Sequence, residues 1–183
     1  VSRGGVKLAA ALDAFAIEPA GLSCLDIGAS TGGFAHVLLS RGAKSVTCVD
    51  VGTAQLHPSI AADARVKSME QTDARKLAAS DLAEAPALIV IDVSFISLDR
   101  ILPHVLTLAA PAAKLVALVK PQFEAGPEHV KKGVVRDTQI HAAVCARIEK
   151  LIVACGWRRI GLMASPIVGG DGNREFLIAA EVQ

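Results

Sequence analysis

The chain has no Tyr, one Trp and five Phe in 183 residues. Proteins that hold splayed or single-stranded nucleotides stack the bases on aromatic faces, so few side chains here can serve that purpose. An excess of either charge is missing too: 19 Lys and Arg stand against 18 Asp and Glu, a net +1. A domain that binds RNA unaided usually carries a stronger basic excess, so any nucleic-acid role would need another module to supply affinity. Apolar residues make up 52% of the chain, yet no apolar run approaches the about 20 residues that span a bilayer. The longest, such as Ala87 to Ile91, have the length of buried strands. No signal-peptide pattern opens the chain. Cys24, Cys48, Cys145 and Cys155 show no C-x-x-C spacing and read as buried apolar residues of a reducing cytosol rather than metal ligands. The histidines are scattered, with no triad or metal set. These absences predict a cytoplasmic protein with no metal and no stable membrane association.

What is present is alternation. The length suits one domain with a good core. A helix is expected from Ser2 to Phe15, with Val6, Leu8, Leu12 and Phe15 on its apolar face and Ser2 as cap. Strands follow at Leu22 to Ile27, Ser45 to Asp50, Arg65 to Met69, Ala87 to Asp92 and Lys114 to Val119. Helices are expected at Thr31 to Arg41, stopped by Gly42, at Leu98 to Ala109, and from a cap at Asp137 to Ala154. Pro121, Gly126, Pro127 and Gly133 predict irregular chain from Lys120 to Arg136. Two last strands, Gly156 to Met163 and Arg174 to Val182, are joined by a Gly- and Pro-rich turn. Strand–helix alternation means an α/β fold with a mostly parallel sheet.

The run Asp26-Ile-Gly28-Ala-Ser30-Thr-Gly32-Gly33-Phe34 ends a strand and opens a helix. Open parallel sheets bind ligands at such strand ends, and glycine lets backbone approach a ligand closely. Asp50 ends the next strand about 20 residues on, where an acidic residue accepts bonds from ribose hydroxyls. A dinucleotide loop is G-x-G-x-x-G; here the second glycine position is Ser30, and the D-x-G-x-S-x-G-G form looks more like the first motif of S-adenosylmethionine methyltransferases. Asp26 suits that class, since a carboxylate there can hold the cationic end of the cofactor, directly or through water. Asp73 follows the third strand and has two open readings, an adenine contact or a helix cap.

Asp92 and Lys120 end two further strands. A charge directly after a buried strand is costly unless paired or functional. The opening Ser2-Arg3-Gly-Gly-Val-Lys7-Leu8 resembles the S-R-x-x-x-K-L start of the FtsJ-type ribose 2′-O-methyltransferases. That family uses a Lys-Asp-Lys-Glu tetrad, and the resemblance carries it onto Lys7, Asp92, Lys120 in V-K-P, and Glu175 in N-R-E-F-L. D-I-G-A-S-T-G-G-F, V-D-V-G, I-D-V-S-F-I-S, K-P-Q-F-E-A-G and V-V-R-D are similar to the TlyA-type branch and run through nearly the whole chain. The resemblance implies a Rossmann-like S-adenosylmethionine-dependent methyltransferase fold over residues 1–183, with seven strands, helices on both faces and the last strand antiparallel. It also implies methyl transfer to a ribose 2′-hydroxyl of rRNA, on cytidine, with rRNA or a ribosomal subunit as partner. Members of the branch normally bear a small N-terminal RNA-binding domain. The chain starts at Val1 without an initiator Met, which reads as the loss of such a segment.

In that reaction Lys120 takes the proton of the 2′-hydroxyl or only orients it, while Asp92 steadies the lysine. Lys7 stabilises developing charge, and Glu175 holds Lys7 or bonds the ribose. Phe95 and Phe123 stack a base or pack in the core. Arg3, Lys131, Lys132 and Arg136 hold phosphates or form an ordinary solvated loop. Ser94 touches the cofactor or caps the following helix. Three other readings compete: a nicotinamide-dependent oxidoreductase, which Ser30 and the tetrad disfavour; a membrane-active hemolysin, a name the branch has carried; and a cofactor-binding module inactive without its RNA-binding domain.

Overall fold

The computed structural model describes residues 2–183. In chain order its elements are α1 (Arg3–Ala14), β1 (Ser23–Ile27), α2 (Gly33–Ser40), β2 (Ser45–Val49), α3 (Pro58–Ala61), β3 (Val66–Met69), β4 (Leu88–Ile91), α4 (Leu102–Val105), β5 (Lys114–Val119), α5 (Pro121–Glu124), α6 (Thr138–Ala154), β6 (Trp157–Ala164) and β7 (Phe176–Val182). The strands form one sheet in the order β3-β2-β1-β4-β5-β7-β6. All neighbours are parallel until β7, which runs antiparallel to both β5 and β6.

Residue alternation explains why the strands are apolar throughout. In β4, Ile89 and Ile91 join one core with Leu102, Val105, Val144, Ile148 and Ile152, while Leu88 and Val90 join the other with Leu8, Leu12, Phe34 and Leu38. Helices cover both faces, so neither side of the pleat can be polar. Full burial of a side chain such as Leu8 or Leu12 contributes about 1.5–3 kcal/mol. α1 is capped as its sequence predicts, with the Ser2 hydroxyl accepting from the Gly5 N–H at 3.1 Å. α6 is capped by Asp137, which accepts from the Gln139 N–H at 2.8 Å.

Two expectations need correction. The helix predicted for Leu98 to Ala109 is broken into a 3-10 turn at 98–100, the single turn α4 and another 3-10 turn at 106–108. Pro103 stands in the first turn of α4 and has no N–H to donate backwards, so a helix cannot run through it from residue 98. The segment from Lys120 to Arg136 is not wholly irregular: Pro121 at the first position allows the one turn of α5, and a 3-10 turn follows at 127–129. No helix among the described residues is long and apolar enough to cross a membrane.

Strand order reverses between β1 and β4. The chain steps outward from β1 through β2 to β3, then returns to β4 on the other side. The loops leaving β1 and β4 therefore part, and a cleft opens above their carboxyl ends.

Candidate active site

A cavity of about 380 Å³ fills that cleft. Ile27, Val49, Val51, Ile96 and Ile101 give it apolar walls, and Asp50, Asp73 and Asp92 give it acceptors. Gly28 and Ser30 bring the loop after β1 to its floor. Gly28 has φ +80°, and a Cβ there would lie 2.0 Å from the Asp92 carbonyl oxygen. Only glycine lets the loops after β1 and β4 meet in this way. Asp50 ties the floor together: one oxygen accepts from the Ser30 N–H at 2.7 Å and the other from the Gly52 N–H at 2.8 Å. Asp73 both lines the cavity and caps a 3-10 turn, accepting from the Arg75 N–H at 2.9 Å. Its hydrogen bonds from the Arg75 side chain and backbone hold its carboxyl down at about 2.

The rest of the predicted cofactor set faces elsewhere. Gly32 and Gly33 line no part of this cavity; they border a separate one of about 270 Å³ and pack closely. A Cβ on Gly33 would lie 2.2 Å from the Ser2 hydroxyl of the α1 cap, and one on Gly32 would lie 2.9 Å from the Leu56 side chain. Phe34 is buried in the core between sheet and α1, near Gly4. Asp26 sits beneath the loop, fully buried, with no protein donor bonded to either carboxylate oxygen. Burial raises its carboxyl well above the ordinary range, helped by the negative charges of Asp92 and Asp50; the nearby Ala35 N–H, too poorly placed to bond either oxygen, opposes this least of all.

The four tetrad positions come together as two ion pairs. Lys120, next after β5, meets Asp92, next after β4, at 2.6 Å. Lys7, on the inner stripe of α1, meets Glu175, next before β7, at 2.7 Å. The antiparallel β7 makes the second pair possible, because it brings the start of its strand to the end of the sheet where β5 finishes. Among the described residues, no group of three His, Cys, Asp or Glu side chains is placed to hold a metal ion.

Three further polar residues complete the site: Ser94, read from the sequence as a cofactor contact or a helix cap, and Gln122 and Asn173, which sequence reasoning left out. Ser94 accepts from the Lys120 ammonium at 3.0 Å and lines the cavity. Gln122 donates to the second oxygen of Glu175 at 3.0 Å, leaving its own carbonyl oxygen buried without a donor. Asn173, itself buried, receives the Val135 N–H at 3.1 Å and donates to the Gly133 carbonyl at 2.8 Å. It thus pins the loop bearing Lys131, Lys132 and Arg136 beside the turn that leads to Glu175. The K-P-Q run signalled Gln122, but nothing local showed what it bonds.

Of the predicted RNA contacts, Phe95 is 89% exposed at the cavity rim, with φ +62°, an uncommon backbone for a bulky residue. Its ring lies 4.8 Å from that of half-buried Phe123. Neither is a core residue. Arg3 donates to the Val168 carbonyl, while Lys131, Lys132 and Arg136 are exposed.

The family model for FtsJ-like methyltransferases matches residues 1–182. The 16S/23S rRNA (cytidine-2′-O)-methyltransferase TlyA of Mycobacterium tuberculosis is 46% identical over 184 residues, covering 100% of this chain and 69% of that protein. YqxC of Bacillus subtilis, provisionally named an rRNA methyltransferase, is 49% identical over 180 residues, covering 97% of the chain but only 64% of its own length. The chain thus spans about two thirds of these relatives. A Lactococcus lactis crystal structure, provisionally named a hemolysin, superposes with TM-score 0.98 at 46% identity, covering 100% of this chain and 88% of that one. With the match running from the first residue to the last but one, this chain belongs to the FtsJ-like methyltransferase family.

Proposed function

We propose that this chain transfers the methyl group of S-adenosylmethionine to a ribose 2′-hydroxyl of ribosomal RNA, on cytidine, in the cytoplasm. The observation that carries this is the Lys120–Asp92 pair, at 2.6 Å, on the rim of a cavity whose charged lining is three carboxylates and one arginine. The match to a relative named as an rRNA (cytidine-2′-O)-methyltransferase supports the same reading.

The cavity residues fit S-adenosylmethionine better than a dinucleotide. Asp50, Asp73 and Asp92 are acceptors, and Arg75, the one cation in the lining, is already paired with Asp73 at 2.8 Å. A pyrophosphate would meet like charge, whereas ribose hydroxyls and a sulfonium meet acceptors. When bound, S-adenosylmethionine supplies an electrophilic methyl group. The chain's own residues do the rest. Asp50 accepts from the cofactor ribose. Lys120, oriented by Asp92, takes the proton of the attacking hydroxyl. Lys7, anchored by Glu175, stabilises negative charge developing on that oxygen. Phe95 and Phe123 stack a base. Arg3, Lys131, Lys132 and Arg136 contact phosphates. Much of the acceleration comes from aligning oxygen, methyl and sulfur.

Calorimetric titration with S-adenosylmethionine and with NAD, on the protein and on Asp50→Ala, tests the cofactor. The methyl donor is expected to bind, and Asp50→Ala to weaken it by about 10-fold, the worth of one hydrogen bond to a charged group. Tighter binding of NAD than of the methyl donor would sink the assignment. Methyl transfer to unmodified ribosomal subunits, mapped to the nucleotide, then tests the acceptor.

A further inference from the structure

Lys120 has a second partner besides its ion pair. The nitrogen has three outward tetrahedral directions. The Asp92 carboxylate occupies one at 2.6 Å and the Ser94 hydroxyl oxygen a second at 3.0 Å. One direction is left. With Asp92 alone, two directions would be open. The Ser94 hydroxyl fills one of them, so a single direction remains for a substrate.

The loop that carries Ser94 is itself held. Glu124, whose side chain is 3% exposed, accepts from the Ser97 hydroxyl at 2.6 Å and the Leu98 N–H at 2.8 Å. Arg147 of α6 pairs with the same carboxylate at 3.0 Å. Glu124 lies in the turn that begins just after Lys120. The loops after β4 and β5 are therefore joined at Lys120, through Asp92 and Ser94, and again at Glu124, through Ser97 and Leu98. The second joint holds the backbone that presents exposed Ser94.

We propose that Ser94 is a positioning residue for methyl transfer: its hydroxyl oxygen, together with Asp92, fixes the one direction of Lys120 that faces the ribose 2′-hydroxyl. This rests on the reaction proposed above. In that step the 2′-oxygen bonds to the methyl carbon as the carbon–sulfur bond breaks. The hydroxyl proton passes to the lysine nitrogen, and the bond pair stays with sulfur as a neutral thioether.

The test compares wild type, Ser94→Ala, Ser94→Thr and Lys120→Ala in the full-length protein, measuring kcat and KM for ribosomal RNA and the Kd for S-adenosylmethionine. Ser94→Ala is expected to lower kcat about 10-fold to 100-fold, the loss expected from a displaced reacting group. KM and Kd stay near wild type, and Ser94→Thr, which keeps the oxygen, restores the rate. An Ala variant with wild-type kcat overturns the role of Ser94. So does weakened cofactor binding at unchanged kcat, which would make Ser94 a cofactor contact only. A Thr variant as slow as Ala also overturns it. A wild type that leaves the RNA unmethylated, and so matches Lys120→Ala, overturns the underlying reaction as well. An active wild type beside an unaffected Ser94→Ala overturns Ser94 alone.

Discussion

The two lysine–carboxylate pairs look alike on paper and live in different surroundings. Lys7 and Glu175 have side chains 9% and 2% exposed. The pair is closed in by Gln122, and a Cβ on Gly169 would come within 2.1 Å of the Glu175 carboxylate. Lys120 and Asp92 are 12% and 26% exposed, and Asp92 and its neighbour Ser94 open onto the cavity. Sealed charges are matched by fixed partners and have little room to change state. Open charges keep a direction free for a substrate. Under the proposed reaction, the sealed pair holds a field in place and the open pair moves a proton.

The largest effect should separate the pairs outright. Lys120→Ala is expected to lower methyl transfer by about 10³-fold, within the range of general acid–base groups, while moving the urea midpoint little, because Asp92 can turn to water. Glu175→Ala should do the reverse to stability. It strands a buried ammonium, a loss of about 3–5 kcal/mol when one partner of a buried pair is removed. Equal urea midpoints for the two variants would erase the distinction.

Gly28→Ala presses on the open pair from below. The new methyl meets the Asp92 carbonyl, and the φ of +80° is unfavourable for alanine. A cost of about 1–3 kcal/mol is expected, with weaker cofactor binding and slower transfer. A variant that binds S-adenosylmethionine like wild type would show that the two loops separate freely.

Asp26→Asn gives the smallest and most pH-dependent effect. The raised carboxyl of Asp26 keeps its proton in the folded state after the unfolded chain has released its own. Wild-type stability therefore falls as pH rises from the ordinary carboxylate range towards the folded value. The Asn variant lacks that slope, so its advantage is near zero below about pH 4 and grows towards neutrality. Urea denaturation at acid and neutral pH measures it, and an advantage that shrinks with rising pH would mean that Asp26 is ionised in the fold.

Much of this was legible beforehand. The strands were, because runs such as Leu88–Ile91 have no polar face to lose. The placement of the four tetrad positions was, because each stands at an element's end or on an opening helix stripe. The pairing was read in part as well: Asp92 was expected to steady Lys120, and Glu175 to hold Lys7 or bond the ribose, and the structure forms both pairs, the second across 168 positions through the antiparallel β7. What was not legible was the packing and bonding around them, such as Gln122 on Glu175. Gly32 and Gly33 read as ligand-facing because they share a loop with Gly28; their packing against Ser2 and Leu56 depends on helix placement, which no local pattern encodes. The break at Pro103 was visible, and apolar periodicity outweighed it. The turn at α3 was missed, although Pro58 marked its start.

Asn173 has a bearing on how the molecule is made. It stitches the basic loop to the turn before Glu175, and Glu175 answers a lysine 168 positions earlier. A chain emerging from synthesis presents Lys7 long before its counter-ion exists. Contacts of such long range close late and slowly, so the half of the sheet from β1 to β4 can assemble while the half from β5 to β7 waits. The partly made protein can then shape a cofactor cleft before it has any means of using one.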